Sequence, residues 1–172
     1  MMKLLHNDRA AAVVEMALVA PVFALVTVGI VDMSNAYSKK LALEQGAQRA
    51  IEKIMNTTEN ATVESTLATE VQCQVNGSTT TGGVTTCNTS PTQTITVTWR
   101  LDCTTGGTTT SQSTTNSATY DGYVSACAGT KAGYVQVTVA DKYTPLFPVY
   151  FAAFNSGDST YHLSATAGTR TL

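Results

Sequence analysis

Apolar residues run almost unbroken from Ala10 to Val31, 22 positions whose single charged side chain is Glu15. As a helix this stretch spans about 33 Å, against about 30 Å of hydrocarbon in a bilayer, so the pattern predicts a transmembrane helix. Lys3, His6, Asp8 and Arg9 precede it and Asp32 follows it. From Tyr37 to Met55 the pattern becomes amphipathic. Apolar or small residues recur at Tyr37, Leu41, Ala47, Ala50, Ile51, Ile54 and Met55, while Glu44, Gln48, Arg49, Glu52 and Lys53 fill the rest. That spacing predicts that the helix continues past the membrane, as a rod about 70 Å long from Ala10 to Met55. Pro21 and Gly29 are points where it can bend, and Asn56-Thr57-Thr58 ends it. A second, shorter helix is expected from Asn60 as N-cap, with Val63, Leu67 and Val71 turned inward.

Beyond that helix the period falls from 3.6 to 2. Ile95, Val97, Trp99 and Leu101 alternate with Thr94, Thr96, Thr98 and Arg100, which predicts a strand over Gln93–Leu101. Val135, Val137 and Val139 alternate with Gln136, Thr138 and Ala140, and Tyr161, Leu163, Ala165 and Ala167 share one face of a third strand. Val71–Val75 and Tyr120–Val124 are weaker strand candidates. Gly77–Thr86 and Thr104–Thr119 carry Thr, Ser, Gly and amides with almost no apolar residue, and are expected to be exposed, mobile loops. Tyr143–Phe154, with Pro145 and Pro148 around Leu146 and Phe147, is expected to be a crossover with an apolar helical turn. The fold class that follows is α+β: a long N-terminal transmembrane and amphipathic helix packed on a small antiparallel sheet. Residues 1–10 form a cytoplasmic leader, 11–55 the helix, and 56–172 an extracytoplasmic head.

Composition sharpens the picture. Charged residues are 13 % of the 172 and the net charge is −2, which leaves no electrostatic footprint for nucleic acid. Thr supplies polarity without charge and favours strands, which suits an exported β-rich head. Cys73, Cys87, Cys103 and Cys127 all lie beyond the apolar segment. Their even number points to two disulfides, and no Cys-x-x-Cys spacing suggests a zinc site. Of the three connectivities, Cys73–Cys87 with Cys103–Cys127 is favoured because each closes a local Thr/Gly-rich loop. Lys3 and Arg9 place the short N-terminal side in the cytoplasm by the positive-inside rule, although Lys39 and Lys40 carry the same sign on the far side.

Glu15 carries the sharpest chemistry. A carboxylate in hydrocarbon costs a few kcal/mol unless neutralised, either by snorkelling to the headgroups or by a positive partner. A cut between Ala10 and Ala11 would create an α-amine with Glu15 as the fifth residue of the new chain. In helices packed side by side with axial stagger, one subunit's amine then meets another's Glu15, and the pair sets the register of a polymer.

The run Asp8-Arg9-Ala10-Ala11-Ala12-Val13-Val14-Glu15-Met16-Ala17-Leu18-Val19-Ala20-Pro21-Val22-Phe23 resembles the N-terminus of TadE-like pseudopilins of the tight-adherence (Tad) pilus system. Gly29-Ile30-Val31-Asp32 with Ala36-Tyr37 resembles their continuation. Val137-Thr138-Val139, Tyr143-Thr144-Pro145-Leu146-Phe147-Pro148 and Leu163-Ser164-Ala165-Thr166-Ala167 resemble their ending. Position 10 holds Ala where that family commonly has Gly, and Met16 stands where an aromatic is usual. The resemblance implies a pilin-like precursor in the bacterial inner membrane, cut by a prepilin peptidase between Ala10 and Ala11, with Glu15 as assembly carboxylate. Its implied partners are other pilin-like subunits, that peptidase and the Tad inner-membrane platform. It implies neither cofactor nor enzymatic activity.

Other candidates are weaker. His6 and His162 lack a nucleophile or metal-ligand spacing, and Asp102, Asp121, Asp141 and Asp158 match no calcium-loop pattern and read as turn formers. Sequons at Asn56, Asn60, Asn76 and Asn88 are expected by chance in a Thr-rich chain, and Trp99 reads as a core anchor. Two alternatives stay open: an uncleaved scaffold of the pilus machine, and a secreted adhesin whose signal peptide ends at Ser34-Asn35-Ala36.

Overall fold

A computed structural model describes residues 8–56, 61–147 and 154–172. The first helix, α1, runs unbroken over Asp8–Asn56 with Pro21 inside it. Two compact units divide the chain, one formed by Met1–Ser38 with Thr144–Tyr161 and the other by Lys39–Tyr143 with His162–Leu172.

In the second unit, α1 from Lys39 onward meets helix α2, Ala61–Asn76. Leu43, Ala47, Ala50 and Ile51 of α1 and Leu67 and Val71 of α2 are buried together with Val137, Val139 and Ala165. The buried face keeps the middle of the predicted stripe, Ala47, Ala50 and Ile51, but not its ends: Tyr37, Leu41 and Met55 are exposed, and Leu43 is fully enclosed instead. The reason lies at Gly46, where α2 packs so tightly that an added Cβ would stand 2.5 Å from Val75 Cγ2. That close approach fixes which side of α1 faces inward. Val71–Val75 is therefore helical rather than a strand. The expected N-cap Asn60 and the side chain of Val63 lie outside the described residues.

The sheets follow. A two-stranded sheet pairs β1, Ser78–Thr81, with β2, Val84–Cys87. A five-stranded sheet holds β3 (Thr94–Thr105), β4 (Thr108–Thr114), β5 (Thr130–Tyr143), β6 (Phe154–Asn155) and β7 (Thr160–Arg170). Its order is β4-β3-β5-β7-β6, with β3 antiparallel to both β4 and β5. The three strands predicted from alternation are β3, β5 and β7, and their inward residues are the predicted ones. A second core gathers Trp99 and Leu101 of β3, Val135 of β5, Tyr120 and Cys127.

Both Thr-rich stretches expected to be loops hold β-hairpins, and the second runs on into a helix at Ser117. Each turns on Gly-Gly: Gly82 and Gly83 have φ +60° and +82°, Gly106 and Gly107 +61° and +84°. Left-handed backbone at both central residues is the geometry that matches strand twist in a two-residue hairpin, and glycine adopts it without strain. Hydroxyl pairs then lace the solvent faces: Thr80 with Thr85 at 2.9 Å, Thr104 with Thr109 at 2.8 Å and Thr138 with Thr166 at 3.1 Å. Tyr120–Val124 is also not a strand. It lies in α3, Ser117–Ala126, whose N-cap Asn116 accepts a hydrogen bond from the Thr119 amide. Of Tyr143–Phe154, residues 148–153 lie outside the described residues, and 144–147 form no helical turn.

Candidate functional site

The half of α1 that matches a membrane in length is also bare. Val13, Val14, Met16, Leu18, Val22 and Phe23 are 60–72 % exposed, an apolar surface that the first unit leaves uncovered. Glu15 lies on this exposed stretch. Ala10 and Ala11 have helical backbone, and their side chains, like Lys3 and His6, lie outside the described residues. Pro21 lies inside this stretch without ending the helix.

Where the apolar run ends, the exposure ends on one face. Gly29, Asp32 and Ala36, spaced for a single helix side, are buried. Asp32 is 3 % exposed, and its two carboxylate oxygens accept hydrogen bonds from the backbone amides of Leu146 at 2.8 Å and Phe147 at 3.1 Å. A buried carboxylate is tolerable only with such partners, and amide hydrogen bonds to a charged acceptor are among the stronger ones. Asp32 thus holds the Pro145-Leu146-Phe147 loop against the helix.

In the second unit a comparable tie joins Lys39 of α1 to the end of β5. Lys39 Nζ lies 3.1 Å from Asp141 Oδ2 and donates to the Lys142 carbonyl at 2.8 Å. Asp141 Oδ1 also accepts from the Thr92 hydroxyl at 2.5 Å and the Lys142 amide at 2.7 Å. Burial pushes the Asp141 carboxyl up, but the Thr92 hydroxyl, the Lys142 amide and the Lys39 ammonium together hold it below the ordinary carboxylate value. Lys39 therefore has an internal partner, so it is not a free charge in the topology balance.

Of the aspartates read as turn formers, Asp158 lies in the turn before β7, whereas Asp102, Asp121 and Asp141 lie in regular elements. Asp102 is on β3, where it binds the Arg100 guanidinium through two hydrogen bonds of 2.9 and 2.6 Å. The Arg100 and Ser111 hydrogen bonds lower its carboxyl, and Asp102 raises the Arg100 guanidinium in turn. Arg100 also lies 5.4 Å from the Tyr134 ring centre. The two residues share a groove of about 590 Å³ on the outer sheet face with Thr98, Gln136 and Arg170. Asp121 is on α3, and Asp158 accepts from the Thr160 hydroxyl. Among the described residues no three His, Cys, Asp or Glu side chains cluster as metal ligands.

Cys73 on α2 is bonded to Cys87 on β2, and Cys103 on β3 to Cys127 just after α3, with Cα separations of 4.5 and 5.9 Å. Sequence reasoning took Asp32 as the boundary of the apolar run and as part of the TadE-like continuation, and missed its tie to the loop. The available signal was Pro145-Leu146-Phe147-Pro148, whose two N–H groups need acceptors the segment cannot supply. Asp141 had no comparable signal.

The chain thus has one helix long and apolar enough to cross a membrane, followed by disulfide-bonded α+β structure. Residues 10–51 match the family model described as TadE-like protein, which covers most of α1 and agrees with the resemblance read from the sequence. Neither the curated proteins nor the solved structures give a match.

Proposed function

We propose that this chain is a pilin-like minor subunit or assembly factor of a Tad-type adhesive pilus. The observation that carries the reading is the coincidence of the TadE-like match with a bare apolar helix bearing one acid, Glu15. Anchored in the inner membrane by α1, with its N-terminus cytoplasmic and its head outside, the precursor meets a prepilin peptidase that cuts between Ala10 and Ala11. The released α-amine of one subunit pairs with Glu15 of a neighbour as helices enter the filament, so both charges are carried into the packed bundle as a neutralised pair. Cleavage is thus the step that makes Glu15 tolerable in a packed bundle. Other pilin-like subunits and the inner-membrane platform are the partners of this reaction. The chain itself performs no catalysis in this scheme.

Mass spectrometry of the protein isolated from its native host tests the reading. A chain beginning at Ala11 is expected. An intact leader in functional pili would overturn processing and favour the uncleaved scaffold, and a soluble chain beginning at Tyr37 would favour the secreted adhesin.

A further inference from the structure

We infer that the Pro145–Phe147 segment is a second membrane contact: an interfacial anchor that sets Leu146 and Phe147 into the lipid headgroup layer on the head side of the bilayer. The inference rests on the reading of α1 as membrane-spanning and adds to it a lipid-facing loop distant in sequence. Four residues, Pro-Leu-Phe-Pro, contain only two backbone N–H groups, because proline has none. Both are donated to the Asp32 carboxylate. The segment therefore presents no donor that needs water, which is the usual obstacle to placing irregular backbone near hydrocarbon. The carbonyls remain able to meet water and headgroups at interface depth.

The side chains agree. Leu146 is 66 % and Phe147 40 % exposed on a loop that its own hydrogen bonds hold in place. Height along the helix agrees too. Asp32 is the first charged residue after the apolar run, and the two amides lie 2.8 and 3.1 Å from its oxygens, so the loop sits where the membrane-length stretch stops. Met33 and Tyr37 of the same unit are 58 % and 63 % exposed and continue an apolar and aromatic collar at that level, where Tyr is favoured at the membrane–water boundary. The chain carries no charged residue from Tyr143 to Gly157 that would resist the headgroup layer. Asp32 is accordingly a positioning residue. It aims the loop and shields its donors.

Photo-crosslinking of the full chain in phosphatidylethanolamine/phosphatidylglycerol vesicles tests this. The variants Phe147→p-benzoylphenylalanine, Phe23→p-benzoylphenylalanine and Thr80→p-benzoylphenylalanine report the loop, the membrane helix and the distal hairpin. Lipid adducts at positions 147 and 23 and none at 80 are expected. Adducts at 23 without any at 147 would overturn the loop anchor while leaving the membrane helix standing; their absence at both would overturn the membrane reading itself. Protein–protein crosslinks in place of lipid adducts at 147 would overturn the anchor and assign the loop to an interface between copies. Adding Asp32→Ala is expected to cut the yield at 147 severalfold and leave that at 23 unchanged, and an unchanged yield at 147 would overturn the role of Asp32. Asp32→Asn, which keeps the size and one acceptor oxygen, gives the same reading with a smaller drop should Asp32→Ala not fold.

Discussion

Asp141 shows how much one side chain decides. Its carboxylate is nearly excluded from water yet carries a charge, held there by one hydroxyl, one amide and one ammonium. Because its folded value lies below the ordinary 3.8, it contributes stability above that pH, and the contribution fades as pH falls through the lower folded value. Acid unfolding should therefore be steeper below about pH 4 in the native chain than in Asp141→Asn, measurable as denaturant midpoints between about pH 2 and about pH 6. Lys39→Met should cost about 1–3 kcal/mol at neutral pH, less than for a fully enclosed pair because Lys39 is a third exposed. Gly46 is decisive in the opposite way, by lacking a side chain. Gly46→Ala should destabilise by about 1–3 kcal/mol through the clash with Val75, and Val75→Ala in the same chain should recover part of that loss in thermal melts.

The elements differ in what supports them. The five-stranded sheet has two buried clusters beneath it, whereas the β1–β2 hairpin is exposed along both strands and only two strands wide. Such hairpins are marginal alone, so the Cys73–Cys87 bond, with Asn88 bridging to Thr79 and Asn76, is its main support. Cys73→Ser with Cys87→Ser should lose about 3 kcal/mol. Amide exchange should show the loss at 78–87 while protection in β3 and β5 persists. These same differences govern what could be read from the chain. Strands β3, β5 and β7 were legible because Val, Ile, Leu and Trp alternate with Thr over a buried layer. The hairpins were not, since Thr on both faces leaves no alternation to detect, and the signal that remained was Gly-Gly between Thr runs. Helix α3 spans only 10 residues, and its Tyr120, Tyr123 and Val124, at i, i+3 and i+4, make one short helical repeat, too little to stand out from a strand. On α1, small residues set the inward face through close approach to α2, which an apolar stripe does not reveal. The candidate site divides likewise: Glu15 stands out as an acid in an apolar run, whereas Asp32 gains meaning only from amides more than a hundred residues away.

At the scale of the molecule, a bare helix requires something to cover it, whether lipid or the helices of other subunits. Glu15→Ala should leave the protein in the membrane fraction, because removing an acid only raises the segment's affinity for hydrocarbon, yet should reduce pili counted by electron microscopy. Wild-type piliation in that variant would remove Glu15 from assembly. The head is governed by different physics. Unlike the outer face of β3 with its Arg100–Asp102 pair, the β1–β2 hairpin is dressed with Thr hydroxyls and carries no charged side chain. Such a coat has neither a titration curve nor a screening length, so water should wet it to the same degree in dilute, saline or acidified surroundings. An appendage displaying it would keep its surface character wherever its owner drifts.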